Sequence, residues 1–260
     1  MNNETIELLA NRRSIRAFEN RPIEEETIKK LKELTLRAPT GGNMTTYSVI
    51  EVTDPEVKSK LAKICDNQPM IERAPGVWVF LADFERWYNW LKDGGSPERC
   101  GKELRHPGLG YLHLAMQDAI VAAETAVIAA DALGLGSCYV GDIIENYEEL
   151  QALMELPPLA APAAMIIFGY PKACREELTL RPDEKYVFFP NKYHMQDTAE
   201  CEKMYERHTA RYKEKKIIPH GKVETYADHY FNRKVSSDFM KEMDRSAAVF
   251  MKRWCEESPK

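Results

Sequence analysis

Residues 111–133, YLHLAMQDAIVAAETAVIAADAL, constrain the fold more than any other part of the chain. They contain no Gly or Pro and are long enough to cross a domain as one helix. The polar residues His113, Gln117, Asp118, Glu124, Thr125 and Asp131 keep to one narrow stripe, and alanines fill much of the rest. A helix that is apolar on nearly every face belongs in an interior, and alanines let its neighbours approach closely. A membrane span is the rival reading, but the polar residues interrupt the run short of what a bilayer needs. The segment therefore predicts the central helix of a soluble core and of a subunit interface. Residues 134–141, GLGSCYVG, then predict a helix stop and a short strand whose backbone a ligand can approach.

A chain of 260 residues can bury a large core, as one domain with a substantial extension or as two small domains. With 44% hydrophobic and 30% charged residues it is not a disordered sequence. A net charge of −5 gives no general attraction to nucleic acid or to an anionic membrane. Cys65, Cys100, Cys138, Cys174, Cys201 and Cys255 form no CxxC pair and read as reduced thiols. The N-terminal stretch is acidic, without the apolar run of a signal peptide, so a cytoplasmic protein is expected.

In chain order, Asn2 or Asn3 caps a first short helix, and Pro22 opens a second that reaches about Leu36. Residues 38–43 are loop, 47–52 strand, and Asp54-Pro55-Glu56 starts a helix reaching about Cys65. Residues 66–70 read as loop, 76–83 as a fully buried strand, and 86–107 as an irregular surface excursion. After the central helix and its strand, Asn146 caps another helix and 163–171 form a last buried strand. Two helical stretches, 197–215 and 225–254, flank Pro219-His220-Gly221. The expectation is an α+β fold with a mixed central sheet flanked by helices, comprising a domain over 1–195 and a helical extension over 196–260.

Three segments can carry chemistry. In Arg12-Arg13-Ser14-Ile15-Arg16, extended backbone puts Arg12, Ser14 and Arg16 on one side, where guanidinium forks and a hydroxyl suit a phosphate. The alternative is a solvated basic turn paired with Glu24, Glu25 and Glu26. In 38–43, glycines let backbone approach a flat ligand while Thr40 and Asn43 offer polar contacts, though an ordinary connection has the same composition. In 134–141 the glycines follow a helix and Tyr139 replaces a third glycine, which disfavours a dinucleotide fingerprint. The six histidines show no metal-ligand spacing, and Cys138 reads as structural. An enzyme with no acid, base or nucleophile set draws its reactivity from a cofactor.

Taken in order, RRSIRAF, RAPTGGN, DNQPMIERAPGVWVFLADFER, AIVAAETAVIAADALGLGSCYVGDI, MIIFGYP and LRPDEKYVFFPNKY resemble the FMN-dependent nitroreductase family. The likeness is closest to its longer NADPH-preferring members, the oxygen-insensitive nitroreductases and flavin reductases. It implies a homodimer with FMN in a pocket built by both chains. It also implies a two-step exchange in which NADPH or NADH gives hydride to flavin N5 and a nitroaromatic, quinone or flavin acceptor takes two electrons. By the same resemblance Arg12, Arg13, Ser14 and Arg16 hold the FMN phosphate and pyrimidine edge. Pro39, Thr40, Gly42 and Asn43 line the flavin from the other subunit, and Gln68 contacts it. Tyr139, Val140 and Gly141 lie beside the isoalloxazine, and Arg181 is a distal phosphate ligand. Thr179 stands where the family often has a basic residue, and GGN stands in a loop usually richer in serine. Arg211, Lys213, Lys215 and Lys216 suggest a nicotinamide-phosphate site, with a solvated charge run as the alternative. Reductive dehalogenation, alkene reduction and a non-catalytic flavin-binding or phosphate-binding module stay open beside this reading. Nucleic acid and membrane are not expected partners.

Overall fold

The computed structural model describes residues 3–173, 177–217 and 224–257. The chain forms two units, Met1–Arg175 with Glu242–Lys260, and Glu176–Lys241. In the first, the Asn3 side chain accepts from Ile6 N at 3.0 Å and opens α1 (Glu4–Asn11), and α2 (Glu25–Thr35) follows. After β1 (Tyr47–Glu51), Asp54 accepts from Glu56 N at 2.7 Å and caps α3 (Pro55–Ile64). Pro55 sits at the first helical position, where its missing N–H costs nothing. Then come α4 (Pro69–Arg73), β2 (Gly76–Asp83), α5 (Glu85–Asp93), α6 (Ser96–Cys100), α7 (Leu109–Ala132), β3 (Gly136–Val140), α8 (Tyr147–Met154) and β4 (Ala160–Gly169). In the second unit, capping boxes Asp197/Glu200 and Thr225/Asp228 start α9 (Thr198–Glu214) and α10 (Tyr226–Tyr230). A π turn, Phe231–Val235, precedes α11 (Asp238–Glu256).

The sheet runs β1-β2-β4-β3 with every adjacent pair antiparallel. Alternation along β2 splits its side chains between two cores, which is why the whole strand is apolar. Val77, Val79 and Leu81 face the core completed by α3, α8 and the end of α11, where Phe250 and Trp254 are buried. Trp78 and Phe80 face α2 and α7, with Phe168 against Trp78 at 5.1 Å between ring centres. There the alanines at 119, 122, 123, 126 and 130 are buried, so small helix residues meet large aromatic sheet residues.

The α+β architecture and the long central helix agree with the sequence. By length and composition α7 would pass for a membrane span, but half of its most apolar window is buried in the protein. It also leaves Leu109, Tyr111, Leu114, Ile120 and Val121 exposed.

Several expectations change. Among the described residues the parallel part of the expected mixed sheet reduces to one bridge, Ser14–Ser137, because residues 12–16 touch β3 at a single register position. Residues 86–107 are irregular only in part, since α5 and α6 fold there with Pro97 in the first turn of α6, and 101–107 lack regular structure. Residues 69 and 70 open α4 rather than continue a loop. β4 begins before Ala163 because a bulge next to Pro162 absorbs the donor a proline lacks. Residues 225–254 are not one helix, being divided by the π turn. Whereas the sequence reading divides the chain at 195/196, chain contacts place Glu242–Lys260 with the first unit. Trp254 is buried in that core, and Arg253 donates to Tyr147 OH at 2.8 Å and Leu156 O at 2.9 Å. Asn2, Cys174 and the Pro219-His220-Gly221 break lie outside the described residues.

Candidate functional site

A pair of glycines seats the basic segment. Gly136 and Gly169 face each other across β3 and β4, and neither could carry a side chain. A Cβ on Gly136 would lie 2.7 Å from Ile15 Cβ and Cγ1, and one on Gly169 would lie 2.8 Å from Pro75 Cγ and Cδ and 3.3 Å from Phe18 Cβ. Into this groove Ile15 is buried, and its amide donates to Ser137 O at 2.8 Å. With Ile15 pointing in, its neighbours at alternate positions point out. Ser14 and Arg16 are exposed, and Arg12 and Arg13 half-buried.

Arg12, Ser14 and Arg16 converge on Cys138. Burial pushes its thiol up, while the Arg16 charge, hydrogen bonds from Arg16 and Ser14, and the Arg12 charge pull it down. Burial raises Asp131 to about 6 although the Arg12 charge opposes it, with Glu124 adding to the rise. Burial likewise raises the Tyr139 phenol, next to Glu124. Arg12, Ser14 and Arg16 thus gather with the carboxylates of Asp131 and Glu124 around the last turns of α7 and the start of β3.

At the far end of β3, a Cβ on Gly141 would meet no atom within 4 Å, so its backbone faces open space. Gln68, at the N-cap of α4, donates through Nε2 to the Asp142 carboxylate immediately after Gly141. The structure thus brings Arg12, Ser14, Arg16, Tyr139, Val140, Gly141 and Gln68 onto one edge of the sheet.

Residues 39–43 are elsewhere. The loop lies before β1, the opposite edge, two strands and about 14 Å from β3 at ~4.8 Å per strand. It is held at Asp118, about 20 Å along α7 from Asp131 at ~1.5 Å per residue. Within one protomer Pro39, Thr40, Gly42 and Asn43 therefore do not meet the arginines. Their outer face, Gly41, Gly42 and Asn43, is exposed.

Arg181 and Thr179 belong to the second unit and are exposed there. In the same unit Arg211 and Lys215 both pair with Glu177, holding its carboxyl down at about 2. Two of the four basic tail residues are thus engaged with a neighbouring carboxylate.

Reading the sequence alone missed Asp118, Arg86 and Trp87, which fix the 39–46 loop. Asp118 Oδ1 accepts from Gly41 N at 2.8 Å, and Oδ2 from Thr46 Oγ1 at 2.7 Å and Thr46 N at 3.2 Å. Trp87 Nε1 donates to Met44 O at 2.7 Å, and Arg86 donates to Tyr47 O at 2.7 Å and to Thr45 O. A signal existed for Asp118. A carboxylate among Ala115, Ala119 and Ala122 is bound for the interior, and a buried carboxylate needs donors.

Comparison with known proteins places these features in a family. The Nitroreductase family model matches residues 9–170. The FMN reductase (NADPH) of Bacillus subtilis (strain 168) is 29% identical over 247 residues, covering 94% of each chain. The CR(VI) reductase of Pseudomonas sp. (strain G-1) is 32% identical over 194 residues, 75% of this chain and 77% of that protein. The solved structure of the NfrA1 nitroreductase from B. subtilis superposes with a TM-score of 0.79 at 26% identity, covering 95% of this chain and 98% of that one.

Proposed function

The chain belongs to the nitroreductase family, and from that premise we propose that it is an FMN-dependent oxidoreductase using NADPH or NADH. Its acceptors are nitroaromatics, quinones or flavins, reduced in alternation with the nucleotide at one place. The observation that carries this reading is the seating of residues 12–16 on β3, which presents Arg12, Ser14 and Arg16 at the start of that strand, with an open Gly141 at its far end.

The residues present fit the cofactor. Arg12, Arg16 and Ser14 offer guanidinium and hydroxyl donors of the kind a phosphate monoester takes. The side-chain-free space at Gly141 fits a flat ring system, with Gln68 next to it as an amide donor and acceptor. When bound, FMN supplies the two-electron chemistry that no described side chain provides. The chain's own part is to bind and orient: positive charge near the pyrimidine edge favours an anionic reduced ring.

Two observations support a pocket shared by two copies of this chain. The basic edge and the 39–43 loop point outward from opposite edges of one sheet, so a second copy is needed to bring them together. The exposed apolar row on α7 is the kind of surface a second copy covers. Arg181 is assigned to the phosphate from the resemblance alone. The five described cysteines are free thiols, which supports a cytoplasmic setting.

The test is purification of the full chain, measurement of bound flavin by its visible absorption, and anaerobic addition of NADPH or NADH. Loss of the oxidised flavin band, and its return with a nitro or quinone acceptor, is the expected result. A colourless protein that takes up no added FMN overturns the proposal.

A further inference from the structure

The 39–46 loop is held in a shape that its own sequence opposes. Gly42, Asn43 and Thr45 all have left-handed backbone, with φ of 59°, 58° and 53°. Gly takes this conformation freely and Asn tolerates it, but Thr is β-branched and pays a steric penalty there. Such backbone persists only where its surroundings over-determine it.

The surroundings are three side chains on two helices. Asp118 on α7 takes the Gly41 amide on one oxygen and both donors of Thr46 on the other. Arg86 and Trp87 on α5 take the carbonyls of Thr45 and Met44, between those two anchor points. Thr40 Oγ1 closes the loop from within, accepting from Thr45 N at 3.1 Å. Tyr47, the first residue of β1, is buried behind the loop, within reach of the charges of both Arg86 and Asp118. Gly41, Gly42 and Asn43 are exposed.

We propose that Asp118, supported by Arg86 and Trp87, is a positioning residue for flavin binding. It holds the strained 39–46 loop preformed, so that its outer face meets the flavin held by the other subunit. This rests on the functional reading above. Asp118 does not touch the cofactor. It acts by removing an ordering cost that would otherwise be charged against binding. Because it stands on the helix whose exposed face is offered to a second copy, loop shape and assembly share one element.

The test uses the full-length dimer and reads FMN affinity by fluorescence quenching, with amide hydrogen exchange at Gly41 and Thr46. Asp118→Ala speeds exchange at both amides and weakens FMN roughly tenfold to hundredfold, the scale of lost hydrogen bonds to a charged group. Asp118→Asn keeps the volume and one acceptor oxygen and falls between, and serves if the alanine variant does not fold. The decisive variant adds Thr45→Gly to Asp118→Ala. Glycine carries no penalty at that φ, so several-fold of the lost affinity returns, which a mere packing role for Asp118 would not give. Wild-type FMN affinity in a variant whose Gly41 and Thr46 amides exchange faster overturns the inference. So does a double variant no better than the single. If Arg12→Ala/Arg16→Ala abolishes flavin binding while the Asp118 variants bind normally, this inference alone fails. A wild-type protein that takes up no FMN removes the functional reading beneath it.

Discussion

Gly136→Ala tests whether the basic segment is positioned by the glycine groove. The added Cβ would sit 2.7 Å from Ile15 Cβ and Cγ1 and 2.9 Å from Cγ2. Ordinary contact begins near 3.4 Å, so the Ile15 segment must retreat by about 0.7 Å. Ile15 cannot rotate out of the way, because its own Cβ is among the atoms struck and its χ1 is stiff. Overpacking of this kind costs about 1–3 kcal/mol, or about 2–12 °C in Tm for a chain of this size. The functional effect comes from geometry. A shift of that size takes a hydrogen bond of about 2.9 Å to about 3.6 Å, outside bonding range. Losing one charge-assisted bond weakens binding about tenfold to hundredfold. Isothermal titration with FMN and a melt of the apo protein measure both quantities. Adding Ile15→Ala removes the two Cγ contacts and returns part of the loss. A Gly136→Ala protein with wild-type FMN affinity and melting temperature would refute the seating.

Other consequences are separable. Asp131 has its pKa raised from 3.8 to about 6 by burial, so the folded state holds its proton more tightly than the unfolded state. Its contribution is present below pH ~4 and lost as pH rises to about 6, and Asp131→Asn should remove that decline from a plot of apo Tm against pH. Leu114→Asp or Ile120→Asp puts a carboxylate into the exposed apolar row of α7, and sedimentation should find monomer that has also lost flavin. Trp254→Ala, at a fully buried side chain, should cost about 3–5 kcal/mol in denaturant unfolding. Arg245→Ala should leave the denaturant midpoint nearly unchanged, because solvent screens its pairs with Glu148 and Glu242.

The parts legible in the sequence are those written in local chemistry. Apolar runs gave β2 and α7, Asp54-Pro55 gave the start of α3, and the alternation of Arg12, Ser14 and Arg16 gave their shared direction. What local chemistry could not give was tertiary. Nothing near residues 39–46 announces that Asp118, 72 positions beyond Thr46, will hold that loop. Residues 86–107 look irregular because the helices within them are short, and half-buried Trp87 has its indole N–H committed to Met44 O. The role of Gly136 was hidden because it depends on Ile15 arriving from the other end of the domain. The strand order β1-β2-β4-β3, which puts residues 12–16 and 39–43 at opposite edges, is likewise a property of the assembled sheet.

The central claim, one pocket built from two chains, can be tested by complementation. One chain carries Arg12→Ala/Arg16→Ala, and the other carries Gly42→Val, which forces a β-branched residue into a φ of 59°. Each variant alone forms a homodimer with every pocket damaged and should bind no FMN. In the purified heterodimer one pocket takes both lesions and the other takes neither. Flavin absorption should therefore show one FMN per heterodimer, half the wild-type content. A heterodimer as colourless as its parents would contradict the account and place the whole site within one chain.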